Sequence, residues 1–341
     1  MLRTLLGLYI VDGVVSQFSG NLTFARHTAN PLALPSCDAV FNASSADDWI
    51  HLRQKYPATP IRFCDIYHDL FQETQGSSSR PLLYDVSLFH HKVVLEGIRC
   101  LVTEMNGTNP PPVSVPSRQN LMSALRELRQ HILNSQRLTP TDRLTALLQW
   151  HSICLDTVVS TARGTRRMCH LFGIGQSIFG GSQREEGQIN PTRWAQSAAG
   201  RATLLHAINI QTIAAQLPLG MAYDINIPGA VFAAVTTYSS FTLAGVSKIV
   251  YPATIDWDTV LMAFPMDVRR PTGSEGSMQC TLNFVTGYFD PTGMPRDKYV
   301  VRDLSYDLAA MRTLLRGLSL QWGVAVEMEG VVSAYIERCE L

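Results

Sequence analysis

Apolar residues recur at helical spacing along nearly the whole chain of 341 residues. The clearest stripe consists of Leu121, Leu125, Leu128 and Ile132, with charged and amide side chains on the opposite side. A spacing of three and four residues predicts an amphipathic α-helix that buries one face. No segment alternates convincingly between apolar and polar residues, as a half-buried strand would. The sequence therefore predicts an all-α fold, an irregular multi-helix bundle with long loops.

Start and stop signals divide this pattern into separate helices. Thr139 is a typical N-cap residue, Pro140 suits the first helical turn, and Asp142 follows three residues after the threonine. Ser45 and Asp48 have the spacing of a capping box. We expect helices over about 2–18, 45–52, 61–73, 82–104, 121–132, 139–160, 190–217, 228–248 and 303–337, the last interrupted near 317–323, with irregular segments over 173–187 and 265–297.

A further apolar stripe lies at the start of the chain. Leu5, Leu8, Val11 or Asp12, and Val15 recur there at three-to-four spacing. The apolar run is short and no small-residue cleavage site follows it closely, which argues against a secretory signal peptide. The pattern favours the end of a buried helix instead.

The strongest interruption of the helical pattern is rich in proline. Three successive prolines occupy 110–112, and Pro116 follows them. Proline lacks a backbone donor and pushes the preceding residue into an extended conformation, so a helix cannot continue here. We therefore predict a helical region over 1–105, a Pro-rich linker over 106–118, and a second helical region over 119–341 that packs on the first.

The charge balance argues against direct binding to nucleic acid. Charged residues make up 16% of the chain, and 28 basic residues face 28 acidic ones. The densest basic spots are only pairs, Arg166-Arg167 and Arg269-Arg270. A protein that neutralises phosphates needs a basic face. The low charge also indicates that a partner or another part of the same polypeptide covers some of the surface.

The cysteine and histidine positions do not predict a metal site. The seven cysteines are scattered and never two or four residues apart, whereas structural zinc sites use closely spaced pairs. Cys169-His170 is the one neighbouring Cys/His pair, and packing explains it better than a metal does. His90-His91 are adjacent in a predicted helix and point to different faces, so we expect one of them to be buried and the other exposed. We therefore expect no metal ligands and no cofactor in this chain, and mostly buried, reduced thiols.

No catalytic constellation stands out either. Asp47-Asp48 resembles the start of an acidic metal motif, but the third acid is missing and the helix dipole explains both residues. The glycines of 173–181 have the wrong spacing for a phosphate loop and no lysine follows them. Cys154 with His151 is a common pairing on helices. The sequence therefore predicts that the chain is not an enzyme, with no catalytic or cofactor-binding residue.

Several segments resemble the fungal-specific transcription factor domain, the helical regulatory region of fungal zinc-cluster and two-Cys two-His zinc-finger regulators. The resemblance is most specific over 1–50 and looser over 140–335. The residues that carry it, in chain order, are Arg3 to Asp12, Gly20, Leu34-Pro35-Ser36-Cys37-Asp38, Phe41, Ala46-Asp47-Asp48-Trp49, Trp194-Ala195-Gln196, His206-Ala207, Tyr238 to Leu243, and Trp322-Gly323-Val324-Ala325.

The resemblance implies a regulatory role in the nucleus. In such a regulator the full-length protein binds DNA through a zinc module, and no such module is present in this sequence. By the resemblance, Met1 falls in the middle of a family helix and the first helices of the regulatory domain are missing, so we expect the chain to be the C-terminal part of a longer regulator. Its partners would be that zinc-bearing module and a second copy or a coregulator, with DNA contacted only indirectly and no membrane contact.

Two other functional classes stay open at this point. The first is an α-helical enzyme that acts on an apolar substrate, supported by the apolar helices and by Asp47-Asp48. The second is a membrane protein that spans the bilayer at about 225–247, a stretch with no charged residue. The hydroxyl and amide side chains in that stretch favour a helix buried among other helices.

Overall fold

The computed structural model describes residues 2–25, 30–56, 61–71, 86–107, 115–180, 190–218, 224–262, 276–288 and 298–339. These residues form fifteen helices and two short strands. The predicted all-α fold, a multi-helix arrangement with long connections, is confirmed.

The chain divides into two compact units. Unit 1 contains 1–17 and 21–153, and unit 2 contains 18–20 and 154–341. The division falls inside a helix, between Ile153 and Cys154, whereas the sequence analysis placed its boundaries at 105 and 119. The prolines do separate two helices, one ending at Gly107 and the next beginning at Arg118. Residues 108–114 of the predicted linker lie outside the described residues.

The helices of unit 1 are, in chain order, α1 (Leu2–Ser19), α2 (Asp38–Phe41), α3 (Ala46–Lys55), α4 (Phe63–Phe71), α5 (Leu88–Gly107), α6 (Arg118–Asn134) and α7 (Pro140–Val158), which continues into unit 2. The apolar stripe predicted on α6 is fully buried, and α6 packs against α4. The indole of Trp150 on α7 donates to the Leu125 carbonyl at 2.7 Å. The Tyr67 hydroxyl on α4 donates to the Val94 carbonyl of α5 at 3.0 Å.

The remaining elements belong to unit 2: α8 (Thr161–Phe172), α9 (Pro191–Gln196), α10 (Ala198–Ala214), α11 (Asn226–Leu243), β1 (Lys248–Pro252), α12 (Trp257–Met262), α13 (Ser277–Thr286), β2 (Tyr299–Asp303), α14 (Leu304–Leu318) and α15 (Gly323–Cys339). Helix α11 is the centre of this unit, because α8, α9, α10, α14 and α15 all pack on it. Its aromatic residue Phe232 stacks on Phe179 with ring centroids 4.8 Å apart.

Helix α11 occupies most of the stretch considered as a membrane span. All but three of its eighteen residues are buried within the protein, which agrees with a helix surrounded by other helices. Within the described ranges, no helix has both the length and the apolar character needed to cross a bilayer.

The predicted helix starts are formed by the expected side chains. Thr139 and Asp142 exchange hydrogen bonds, since the Thr139 hydroxyl accepts from the Asp142 amide at 3.1 Å and the Asp142 carboxylate accepts from the Thr139 amide at 3.2 Å. Ser45 accepts from the Asp48 amide at 3.1 Å, but the Asp48 carboxylate accepts from Ser44 rather than from the Ser45 amide. These helix starts therefore rest on hydrogen bonds between residues close in sequence.

Six of the described elements do not correspond to a predicted helix: α2, α8, α12, α13 and the strands β1 and β2. Strands β1 and β2 form an antiparallel pair in which Val250 lies opposite Val301. Each strand is short and its partner is about fifty residues away, so alternation within one segment could not reveal it. Helix α13 lies within 265–297, where an irregular segment was expected, and it begins after Gly276, which adopts a φ of 140°. The other parts of that segment, 263–275 and 289–297, lie outside the described residues.

Candidate functional site

The candidate metal and catalytic residues do not converge. Among the residues that the structure describes, no group of three or more His, Cys, Asp or Glu side chains could hold a metal ion. Asp47 and Asp48 lie at the start of α3, a helix with no buried residue. Hydrogen bonds from Ser44 and Ser45 lower the pKa of Asp48, so this carboxylate serves local capping. These residues do not fit the zinc that the resemblance implies, and that zinc would belong to a separate module.

The cysteine candidates Cys154 and Cys169 are both buried in the protein. Burial raises the pKa of the Cys169 thiol to about 11, so the group is protonated at neutral pH. A thiol attacks as the thiolate, and a raised pKa therefore disfavours nucleophilic chemistry. Burial also raises the pKa of Cys100 on α5 above its usual range. Cys100 and Cys169 are therefore core residues.

The segments with the most specific family resemblance meet around Arg3 at the start of α1. The Arg3 guanidinium donates to the Asp38 carboxylate at 2.5 Å and to the Ser36 carbonyl at 2.8 Å. Its central carbon lies 4.3 Å from the ring centroid of Phe41 and 5.0 Å from that of Phe89. One arginine therefore joins α1, the 34–38 segment, α2 and α5 through an ion pair and two cation–π contacts. We call Arg3, Ser36, Asp38, Phe41 and Phe89 the Arg3 cluster.

The 34–38 segment is also held from α5. His90 is buried, and one ring nitrogen lies 2.9 Å from the Pro35 carbonyl while the other lies 2.8 Å from the Ser87 hydroxyl. Both ring nitrogens thus have partners, which fixes the orientation of the ring. Since α2 contacts α3, the fixed segment also positions the acidic-Trp part of the resemblance, where Arg53 lies over the Trp49 ring at 5.1 Å.

A buried ion pair lies where α1 crosses α5. The Arg99 Nε atom is 3.3 Å from Glu96 Oε1, and both side chains are at most 1% exposed. Gln149 on α7 donates to the other Glu96 oxygen at 2.9 Å, and Arg99 donates to the Gln17 amide oxygen on α1. Burying two charges costs several kcal/mol unless hydrogen bonds surround them, so these amides are essential to the pair. The network of Gln17, Glu96, Arg99 and Gln149 thereby joins α1, α5 and α7.

The crossing requires a glycine on α1. A Cβ atom at Gly13 would overlap Glu96 Oε1, far inside van der Waals contact. The carboxylate therefore occupies the space that any other side chain at this position would take. Gly7, one and a half turns earlier on the same helix, has open space around its Cβ position.

A neutral histidine lies on the same helix as Glu96 and Arg99. His91 is fully buried, one ring nitrogen is 3.0 Å from the Ser87 carbonyl, and Nε2 has no hydrogen-bond partner. Burial lowers the pKa of His91 to about 4, and the nearby His131 and His90 add to the effect. The expectation that one of the two adjacent histidines is exposed is wrong, because α5 is enclosed on both sides at this turn.

Unit 2 contains a second buried polar network. The Tyr238 hydroxyl on α11 donates to the Gln211 amide oxygen at 2.7 Å, and Gln211 donates to Asp307 on α14 at 2.8 Å. Arg302 on β2 donates to the same Gln211 oxygen at 2.7 Å and lies 3.4 Å from Asp307. Four elements are joined in this way: α10, α11, β2 and α14. Burial raises the pKa of the Tyr238 phenol, so it remains a donor at neutral pH.

The looser family-like segments in unit 2 also pack together. The Trp194 ring of α9 meets the edge of the Phe241 ring of α11, with centroids 5.5 Å apart. The Thr242 hydroxyl lies 2.7 Å from the hydroxyl of Tyr335 on α15. His206 on α10 lies against Trp257 on α12 at 4.9 Å. These contacts are packing interactions between helices, in agreement with a structural role for the residues.

Four residues of the Arg3 cluster, namely Arg3, Ser36, Asp38 and Phe41, could be named from the sequence only through the resemblance. Phe89 and the two buried polar networks were not predicted. Arg99 and Glu96 carry a weak signal, because they stand three residues apart in an otherwise apolar helix. Such a pair is normally solvent-exposed. Gln17, Gln149 and Gln211 carry no signal, since a lone glutamine in a helix is ordinary. Tertiary packing alone brings these amides to the charges.

We predict opposite effects for alanine at two glycines of α1. Gly7→Ala should raise the free energy of unfolding by up to about 1 kcal/mol, because alanine favours helix and the space is open. Gly13→Ala should lower it by about 2–3 kcal/mol, because the methyl group displaces the Glu96 carboxylate from its ion pair. Urea unfolding, monitored by circular dichroism, measures the free energy of unfolding of both variants. Equal effects at the two glycines would contradict the crossing described here.

We also predict that His91 makes the fold sensitive to acid. The pKa of His91 in the folded protein, about 4, lies below its value in the unfolded chain. The stability that depends on a neutral His91 is therefore fully present above about pH 6.5, and it is lost as the pH falls towards 4. The loss should approach about 3 kcal/mol. In His91→Gln, the free energy of unfolding should fall less steeply between pH 6.5 and 4 than in the wild type. His51→Gln on α3 provides the control and should keep the wild-type slope.

Comparisons with models of known protein families, with curated proteins and with solved structures found no match. A functional conclusion for this chain is therefore built on its own residues: the Arg3 cluster, the two buried polar networks, and the distribution of charge.

Proposed function

We propose that this chain is the regulatory, non-DNA-contacting portion of a fungal transcription factor that controls transcription by RNA polymerase II in the nucleus. In this proposal the full-length protein binds DNA through a zinc module outside the present sequence. The chain acts as a helical partner of that module and of coregulators, and it performs no catalysis.

The observation that carries the proposal is the Arg3 cluster. More than thirty positions separate Arg3 from the family-like residues of 34–38 and from Phe41, yet they meet at one ion pair and one aromatic contact. A chance resemblance in sequence would not require these positions to be neighbours in space. Their contact supports a shared structural arrangement and, with it, a shared regulatory role.

The distribution of charge supports the indirect relation to DNA. The net charge is zero, and the Arg166 side chain of the first basic pair is buried. Its guanidinium donates to the Phe179 carbonyl at 2.9 Å and to the Ser19 carbonyl at 3.4 Å. A guanidinium that donates to two backbone carbonyls in this way is not available to neutralise a phosphate. The pair Arg269-Arg270 lies outside the described residues.

The buried networks suggest how such a module would respond to a signal. Packed helices joined by directional polar contacts have a small number of preferred arrangements, and a ligand or partner that favours one of them shifts the population. In this proposal an effector, a coregulator or the zinc module acts by changing the packing of helices. The networks of Gln17–Glu96–Arg99–Gln149 and of Gln211–Tyr238–Arg302–Asp307 define the packing that would change.

The proposal is tested by joining the chain to an unrelated DNA-binding module in a fungal cell that carries a reporter gene. We expect the fusion to change reporter transcription several-fold, upwards or downwards, relative to the module alone at equal protein level. Arg3→Ala should reduce the change, because it releases the 34–38 segment, whereas Arg53→Ala on the exposed helix α3 should preserve it. Reporter output equal to that of the module alone would overturn the proposal.

A second prediction concerns DNA itself. The isolated chain should show no salt-sensitive affinity for random duplex DNA, because its 28 basic residues are balanced by 28 acidic ones, which leaves no excess of positive charge to release counterions. Fluorescence anisotropy of a labelled duplex at about 50 mM salt measures this. Binding that weakens steeply as salt is raised would contradict the view that this chain contacts DNA only indirectly.

A further inference from the structure

Helix α1 presents an apolar face to solvent. Leu5, Leu8, Val11 and Val15, the stripe that the sequence analysis assigned to a buried helix, are 40–61% exposed. The residues that α1 does bury include Leu6, Ile10 and Val14 on its other side. The helix is therefore apolar on both sides, and a helix of that kind is normally enclosed on both sides.

The chain that follows α1 extends this surface. The Asp12 carboxylate accepts hydrogen bonds from the backbone amides of Phe24 at 2.9 Å and of Ala25 at 3.3 Å. The Ser16 hydroxyl donates to the Asn21 carbonyl at 2.5 Å. The 21–25 segment is thus held along α1, yet the Phe24 side chain is fully exposed and Leu22 is half-exposed. We call Leu5, Leu8, Val11, Val15, Leu22 and Phe24 the α1 patch.

The spacing along the α1 patch suits another helix. Exposed residues Thr4, Leu8, Val11 and Val15 follow one another at steps of four, three and four positions. This 3.5-residue repeat is the one by which two helices interlock along a seam. Leu5 lies beside the seam, and no member of the patch carries a charge.

The size of the α1 patch suits a dimer. Its six side chains expose roughly 600 Å², if a fully exposed large side chain is taken as about 150–200 Å². That equals the largest apolar patch on typical monomers, about 300–600 Å². Two such patches in contact would bury roughly 1,200 Å² before the rim is counted, which reaches the size of a specific interface.

We propose that the α1 patch is the contact between two copies of this chain, which pack α1 against α1 across a two-fold axis. A two-fold interface brings the same surface against itself, so the surface must be self-complementary. An uncharged apolar seam satisfies that condition, because no like charges meet when the two copies approach. The proposal does not depend on the role in transcription proposed above.

The experiment measures the mass of the full chain by sedimentation equilibrium between about 1 and 200 µM, a range chosen around micromolar affinity. The wild type should form a dimer within this range. Leu8→Glu/Val15→Glu should raise the dimer dissociation constant by at least about 100-fold, because it places unpaired carboxylates in the contact. Leu320→Glu is the matched control, since Leu320 is 90% exposed outside the patch, and it should leave the constant unchanged.

A second pair of variants tests whether the α1 patches of two copies contact each other. Mixing Leu8→Glu/Val15→Glu with Leu8→Lys/Val15→Lys should restore association, because opposite charges then face each other in either direction of packing. Circular dichroism should show that every variant keeps its helix content, since the substituted positions are exposed. A wild type that stays monomeric at 200 µM would overturn the proposal and assign the patch to a helix of another polypeptide. A dimer unaffected by the glutamates would overturn it as well.

Discussion

The buried ion pair between Glu96 and Arg99 is the constraint on which unit 1 depends. Two charges without access to water are tolerable only where fixed amides surround them. Gln17 and Gln149 provide those amides from α1 and α7, and both helices must therefore keep their register on α5. Gly13 is a consequence of the same contact, because the carboxylate fills the place of its side chain. Once α1 is held in this way, its opposite face and the Arg3 cluster have defined positions.

In unit 2, polar side chains likewise surround an ion pair, but the residues are different. Arg302 and Asp307 are close in sequence, as Glu96 and Arg99 are, and Gln211 accepts from the arginine and donates to the aspartate. Tyr238 adds a neutral donor from the central helix α11. Each unit thus combines a large apolar core with one compact polar network. Apolar contacts favour compactness in general, and the directional polar contacts favour one arrangement of the helices.

Much of the secondary structure could be predicted because its causes are local. The Thr139–Asp142 capping pair and the stripe on α6 act within one helix, so a reader of the sequence can find them. The orientation of α1 could not be predicted in the same way. Leu5, Leu8 and Val15 are as apolar as Leu6, Ile10 and Val14, and spacing alone does not show which set lies inside. The fit of Gly13 against Glu96 decides that orientation.

The sequence by itself determined that the chain is helical, where several helices begin, and that its charges are few and balanced. These properties follow from spacing, capping and composition, which operate over a few residues or over the chain as a sum. Only the tertiary structure decided which polar residues are buried together, that Arg3 lies against Asp38 and Phe41, and that one apolar face of α1 meets solvent. Those outcomes depend on contacts between residues tens of positions apart, and no local pattern encodes such distances.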